Sequence, residues 1–213
     1  MEKFIVTISR EFGSGGQLIG EKLALRLGIP LYNRNIIEMA AEQSGLSPEF
    51  IDKAEERASN SFLYNLSSYL YTGSGTELDR GTFAAQYEMP VNDKAFFSQA
   101  SVITDLASKG NCVIVGRCSD YLLRDNPDCI KVFIYANEED RRKLLVSAYN
   151  VPEEEAERRL NKLDKGRAYY YKHYTGENWG QIRSHDLIIN SSVTGYDGAV
   201  DVIIAFLKAA GKL

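Results

Sequence analysis

The chain's most reactive-looking stretch lies near its amino end: Ile8-Ser9-Arg10-Glu11-Phe12-Gly13-Ser14-Gly15-Gly16-Gln17-Leu18-Ile19-Gly20. Three of the four residues from Gly13 to Gly16 are glycine. Glycines let successive backbone N–H groups curl around an anion, and a helix starting there adds the partial positive charge of its N-terminus. Gly13, Ser14, Gly15, Gly16 and Gln17 are therefore expected to bind phosphate. The alternative is a tight strand-to-helix turn that binds nothing.

In the phosphate-binding pattern G-x-x-x-x-G-K-[ST], lysine reaches the β- and γ-phosphates and the hydroxyl reaches magnesium. Here Gly16 stands in the lysine position, Gln17 in the hydroxyl position and Arg10 in that of the first glycine. A guanidinium at position 10 supplies the missing charge from a different angle.

Further cations follow. The run Asn111-Cys112-Val113-Ile114-Val115 ends in Gly116-Arg117. If it is a strand of an open parallel sheet, Arg117 emerges in the ligand crevice beside the glycine loop and faces phosphate. Its other reading is a surface ion pair with Asp120 or Asp125. Arg141, Arg142, Arg158, Arg159 and Arg167 lie in a later charged region. Arginines that close over a phosphoryl group in transfer stabilise its charge and exclude water. Arg158 and Arg159 sit near Glu153, Glu154, Glu155 and Glu157, so helical ion pairs account for those two. Arg141 and Arg167 are the expected mobile cations. His173 and His185, far from any nucleophile, are expected at the surface. No Asp/Glu/His cluster has metal-ligand spacing, so magnesium is expected to arrive with nucleotide phosphates.

These residues need a scaffold. Phe4–Ile8, Cys112–Val115, Ile130–Tyr135 and Leu187–Ile189 are short and almost wholly apolar, as strands of a covered parallel sheet are. Helical patterns at Leu18–Leu27, Asn35–Gln43, Lys94–Lys109, Glu138–Tyr149 and Gly198–Lys208 alternate with them. The alternation predicts a doubly wound α/β sheet. Gly28, Gly45, Gly110 and Gly211 fall just past periodic stretches, where a left-handed helix cap favours glycine.

Two stretches break the alternation. Leu46–Asp93 carries Phe62, Tyr64, Tyr69, Tyr71, Phe83 and Tyr87 around Thr72-Gly73-Ser74-Gly75, and reads as a helical insertion with a flexible tip. Glu138–Arg183 is dense in charge, carries Tyr169-Tyr170-Tyr171-Lys172-His173-Tyr174, and reads as a charged helical pair with a mobile turn.

The 213 residues are 44% hydrophobic and 25% charged, the balance of an ordinary globular protein. A net charge of −4 argues against a nucleic-acid partner. No apolar run is long enough to span a bilayer, and Met1–Ile8 has too short an apolar stretch for a signal peptide, so none is expected. Cys112, Cys118 and Cys129 lack the spacing of a disulfide framework or zinc site and read as buried thiols. The expected compartment is the cytoplasm.

The segments Ser-Arg-Glu-Phe-Gly-Ser-Gly-Gly at 9–16, Val-Ile-Val-Gly-Arg at 113–117, Asp-Lys-Gly-Arg at 164–167 and Asp-Leu-Ile-Ile-Asn-Ser at 186–191 together resemble the cytidylate kinase-like family. It is a divergent branch of the P-loop nucleoside-monophosphate kinase group. The resemblance implies a three-layer P-loop kinase fold with a five-stranded parallel sheet and helices on both faces. The core would span about 1–45, 100–137 and 183–213, an acceptor-binding insertion about 46–99, and a lid about 138–182. It implies that Arg117, Arg141 and Arg167 hold the acceptor phosphate and the phosphoryl group in flight, with Arg10 standing in for the lysine. Asp164 would orient the acceptor nucleotide. Asn33 and Arg34 follow the second strand, where similar kinases contact substrate or magnesium water; an aspartate is usual where Asn33 stands. The Tyr169–Tyr174 cluster and Trp179 have no counterpart in the better-known enzymes and read as a packed lid face. The implied activity is transfer of the γ-phosphoryl group of ATP, with Mg2+, to a nucleoside monophosphate, CMP or dCMP by analogy. Two alternatives stay open: a kinase of another small acceptor, and a nucleotide-binding regulatory module without turnover. A homodimer is compatible with the aromatic insertion.

Overall fold

The computed structural model describes residues 3–52 and 91–213. Five strands form one sheet: β1 (Ile5–Arg10), β2 (Leu31–Tyr32), β3 (Cys112–Val115), β4 (Cys129–Tyr135) and β5 (Leu187–Asn190). Their order is β2-β3-β1-β4-β5 and every pairing is parallel. β1 is central, with Ile5–Ile8 opposite Cys112–Val115 on one side and Ile5–Arg10 opposite Cys129–Ile134 on the other. Ile5, Val6, Ile8, Val113, Ile114 and Val115 are fully buried, as befits strands covered on both faces.

The helices are α1 (Gly16–Leu27), α2 (Asn35–Ser44), α3 (Pro48–Asp52), α4 (Val91–Lys109), α5 (Ser119–Leu122), α6 (Glu138–Tyr149), α7 (Glu153–Thr175) and α8 (Ser191–Ala209). One face is covered by α1 and α8, whose Ile19, Leu23, Val200 and Ile203 meet Val6, Ile8 and Val113. The other is covered by α2 and α4, whose Ile36, Ile37, Phe96 and Ile103 meet Ile5 and Ile114. After β1 the chain turns toward one edge and after β3 toward the other. Loops leaving adjacent strands therefore diverge, which opens a crevice at their carboxyl ends.

The long elements form where the apolar patterns place them, with informative differences. β2 has only two residues, too few to show a period. α8 begins at Ser191, where the Asn190 side chain accepts the Ser192 amide, and Gly195 (φ 65, ψ 177) interrupts it; the pattern from Gly198 marks only the segment beyond that break. Gly28, Gly45 and Gly211 adopt the left-handed conformation with φ of 66°, 69° and 71°. Gly110 does not: its φ is 157°, because the chain must extend at once into β3. The charged pair is α6 and α7, joined through left-handed Asn150 (φ 51), with Leu145, Val151, Ala156 and Leu160 as its small core. The residues Phe62 to Tyr87 and the Thr72–Gly75 tip lie outside the described residues.

Candidate functional site

The loop from Glu11 to Gly15 joins β1 to α1, with Gly13 at φ 80 and Gly15 at φ 76. It is pinned from several sides. Ser14 Oγ donates to the Glu11 carbonyl at 2.9 Å. Ser191 Oγ lies 2.7 Å from the Ser14 carbonyl and 3.1 Å from that of Tyr135, tying the loop to the start of α8 and the end of β4. The Phe12 amide donates to Asp164 Oδ1 of α7 at 2.8 Å. Gly15 caps α1 without a side-chain acceptor, and the first amides of a helix have no acceptor within it. The loop therefore presents α1's N-terminus to a cleft of about 450 Å³, lined by Arg10–Gly13, Gly15–Gln17, Glu21, Tyr149, Arg167 and Tyr196. Gln17 Nε2 donates to Glu21 Oε1 at 3.0 Å along the helix surface.

Arg10 explains the glycine in the lysine position. A Cβ on Gly16 would lie 2.5 Å from Arg10 Cβ and 2.9 Å from its Cγ. A Cβ on Gly116 would lie 2.2 Å from Arg10 Nη1 and 3.0 Å from its Cζ. The arginine side chain thus runs from the start of α1 to the end of β3, lying against two glycines that leave it room. Its stem lies beside the start of α1 and its guanidinium beside the turn that carries Arg117.

That turn has three successive left-handed residues, Gly116, Arg117 and Cys118, at φ 74°, 62° and 55°. For the two non-glycine residues this conformation costs about 1–2 kcal/mol each, the kind of strain that collects at functional sites. Arg117, only 12% exposed in its side chain, lies 3.2 Å from Asp52 of α3. Neither carboxylate weighed from sequence pairs with it: Asp125 lies beside Arg124, and Asp120 is buried beside Tyr171 and His185. Arg117 lines a cavity of about 20 Å³ together with Ser9, Arg10, Arg167, Tyr170 and Trp179. Arg10, Arg117 and Arg167 thus line one small cavity.

Arg141 is not the mobile cation expected of it. Its side chain is 9% exposed; Nε donates to the Phe12 carbonyl at 2.7 Å, Nη1 to Glu11 Oε2 at 3.0 Å, and Nη2 to Asp164 Oδ2. Two carboxylates converge on it, so it clamps the glycine loop to α6 and α7. Asp164, expected to orient the acceptor, takes part in the same clamp. Burial pushes the Glu11 carboxyl above its ordinary range, even with the Arg141 guanidinium pulling it down. Arg167 Nη1 donates to the Arg10 carbonyl at 3.1 Å and lies 4.0 Å from Asp164 Oδ1, and its guanidinium lies 5.4 Å from the Phe12 ring centre. Asn33 and Arg34 stand at the start of α2, where the Asn33 amide donates to Asn35 Oδ1 at 2.8 Å; neither lines these two spaces. Arg142 and Arg158 lie 4.0 and 3.6 Å from Glu153 and Glu155.

Several residues escaped sequence reasoning. The His185 side chain is 1% exposed, not at the surface, because Phe133 and Asp120 enclose it. Tyr170 and Tyr171 are buried in the core beside α4. Tyr196 lies where a Cβ on Gly15 would be, 2.3 Å from its Cε1, and separates the main cleft from a second hollow of about 330 Å³ beside Ser191 and Ser192. Only Ser191 had a signal, its place in Asp-Leu-Ile-Ile-Asn-Ser.

Residues 5–193 match the cytidylate kinase-like family. No curated protein matches the sequence. Among solved structures, an uncharacterized protein from Eubacterium ventriosum is 27% identical, with a TM-score of 0.68 over 97% of this chain and 99% of that one. Shikimate kinase from Bacteroides thetaiotaomicron is 11% identical, with a TM-score of 0.54 over 97% and 99%. Shikimate kinase from Acinetobacter baumannii, solved in complex with shikimate, is 14% identical with a TM-score of 0.52 over 98% and 94%. The five-stranded parallel sheet with helices on both faces is that of the P-loop kinase fold.

Proposed function

The chain belongs to the cytidylate kinase-like family, and we propose that it is an ATP- and magnesium-dependent phosphotransferase acting on a nucleoside monophosphate, CMP or dCMP by analogy. The observation that carries this reading is the path of Arg10, whose stem lies against Gly16 at the start of α1 and whose guanidinium lies against Gly116 at the turn carrying Arg117, so that the residue lines both spaces. A phosphoryl group passing from a donor on the loop to an acceptor beside Arg117 crosses that point.

The donor side suits a nucleotide. A cleft of about 450 Å³ falls within the size range of small-molecule sites, and its wall joins backbone amides and a helix N-terminus to the aromatic Tyr149 and Tyr196. The residues that would hold the triphosphate are the amides of Gly13–Gln17 with Arg10 and Arg167. Magnesium, arriving on the phosphates, would neutralise their charge. Arg117 and Arg167 would hold the acceptor's phosphate, and entry requires an arginine head to move, because about 20 Å³ is room for roughly one water. The Arg141–Glu11–Asp164 clamp would hold the loop in shape while the arginines stabilise the transferring group. The insertion at about 46–99 would read the acceptor and the α6–α7 pair would be the lid.

Incubating purified protein with ATP, magnesium and a panel of nucleoside monophosphates tests the reading. Formation of a nucleoside diphosphate in one of them is expected, fastest with CMP or dCMP. If no monophosphate reacts but ATP turnover responds to a metabolite extract, the acceptor is another small molecule. Tight ATP binding with no transfer to anything would make the chain a nucleotide-binding module instead.

A further inference from the structure

Asp120 carries a carboxylate that is almost sealed from solvent, at 2% exposure, in the first turn of α5. Its Oδ2 accepts the Tyr171 hydroxyl at 3.0 Å and lies 3.4 Å from Nε2 of the buried His185. Its Oδ1 finds no hydrogen-bond partner among the described residues, nor does the neighbouring Ser119 hydroxyl. Burying a carboxylate with so few partners costs stability, so a fold that keeps one there gains something other than packing. Burial, reinforced by Asp120, pushes the Tyr171 phenol well above its ordinary range, which keeps it protonated and a donor.

The position of this hydrogen bond gives it meaning. Asp120 lies three residues after Arg117, and Tyr171 lies four residues after Arg167 on one continuous helix. Residues four apart on a helix share a face, about 6 Å apart along the axis. The Tyr171–Asp120 contact therefore joins an arm that carries Arg167 one helical turn back to an arm that reaches Arg117 through the left-handed turn ahead of α5, and both arginines line the same small cavity, as does Tyr171 itself. A second tie, the Tyr174 hydroxyl to Asp93 Oδ1 at 3.3 Å with the Tyr174 ring stacked on Phe96 at 4.1 Å, fixes the same end of α7 to α4.

We propose that Tyr171 and Asp120 are positioning residues whose hydrogen bond sets the spacing of the Arg117 and Arg167 guanidinium groups for an anion held between them. This rests on the reading of that cavity as the acceptor's phosphate site. The strained Gly116–Cys118 turn fits the same role, because a turn held out of its preferred conformation needs an anchor downstream of it.

Trp179, the only tryptophan, lines the cavity and reports on it. In full-length protein, inorganic phosphate binding is followed by Trp179 emission and by calorimetry. Tyr171→Phe is expected to weaken it about tenfold, the worth of a hydrogen bond to a charged group. In an Arg117→Ala background, Tyr171→Phe should add no more than about twofold, since its effect acts through Arg117. Asp120→Asn, which keeps an acceptor oxygen, should retain most of the affinity that Asp120→Ala loses. Equal losses in both backgrounds, or an unchanged phosphate affinity in Tyr171→Phe, would overturn the positioning role while leaving the anion site standing. No phosphate binding by the wild-type protein in either measurement would overturn the anion site and the positioning role together.

Discussion

Replacing Gly116 by alanine separates the work of Arg10 from the stability of the fold. The new Cβ would sit 2.2 Å from Arg10 Nη1, 3.0 Å from Cζ and 3.4 Å from Nη2. All three atoms belong to the far end of a long side chain, so the guanidinium is displaced from its place and the clash falls on the side chain instead of the backbone. The backbone cost is that of alanine at φ 74, about 1 kcal/mol. For a chain of this size that lowers Tm by about 2–4 °C. The functional cost is larger. A preorganised charged donor aimed at a transferring group contributes about 3–4 kcal/mol, so transfer should slow about 10²–10³-fold. Thermal unfolding and transfer to whichever monophosphate reacts fastest would be measured on Gly116→Ala, Arg10→Ala and the double variant. If the glycine serves Arg10, the double variant is no slower than Arg10→Ala alone. Full activity in Gly116→Ala, or multiplied losses in the double variant, would refute the coupling. Gly16→Ala would behave differently, because its Cβ meets Arg10 Cβ at 2.5 Å, an atom fixed to the strand; there α1 itself must shift and stability should fall further.

Ser191→Ala removes the hydroxyl between the Ser14 and Tyr135 carbonyls and should cost about 1 kcal/mol in denaturant unfolding; an unchanged midpoint would show that the loop does not depend on that tie. Burial pushes the Cys112 thiol up to about 11 and the Cys129 thiol up to about 12, so neither is a thiolate at pH 8. The native protein should then leave both unmodified by a thiol reagent that modifies them after unfolding, as peptide mapping would read. Glu11 is held above the ordinary carboxylate range by burial, so its folded state favours the proton. Its contribution to stability is full at low pH and is lost as pH rises through that raised range. The Tm of the wild type minus that of Glu11→Gln should therefore fall as pH rises above the ordinary glutamate range; a difference that grows with pH would mean the Arg141 attraction outweighs burial.

The central strands were readable because a strand buried on both faces must be apolar at every position, and Cys112–Val115 and Cys129–Tyr135 are nearly so. The loop was readable from its glycines, which local backbone geometry demands. What escaped reading depends on pairs distant in sequence. Nothing near Arg141 shows that Glu11 and Asp164 meet on its guanidinium, 130 and 23 residues away, so it read as free. His185 read as a surface residue because its enclosure by Phe133 and Asp120 is set by the return of the chain into β5. Gly110 looked like the glycines that cap α1 and α2, yet a strand begins two residues later and extended backbone prevails over the cap.

The exchange of lysine for glycine at position 16 is one part of a three-residue arrangement. Any side chain at 16 would meet Arg10 at its Cβ, so a lysine there and the observed path of Arg10 exclude one another. Gly116 is needed for the same reason at the far end of that path. The positive charge has moved from the first turn of α1 to the end of β1, the central strand, fixed by pairing on both sides. A lysine rooted in the helix reaches outward from the glycine loop. An arginine rooted in β1 and extended to Gly116 instead lies between that loop and the Arg117 turn. The departure from G-x-x-x-x-G-K-[ST] thus places the cation toward the Arg117 side of the crevice, where Arg167 donates to the Arg10 carbonyl.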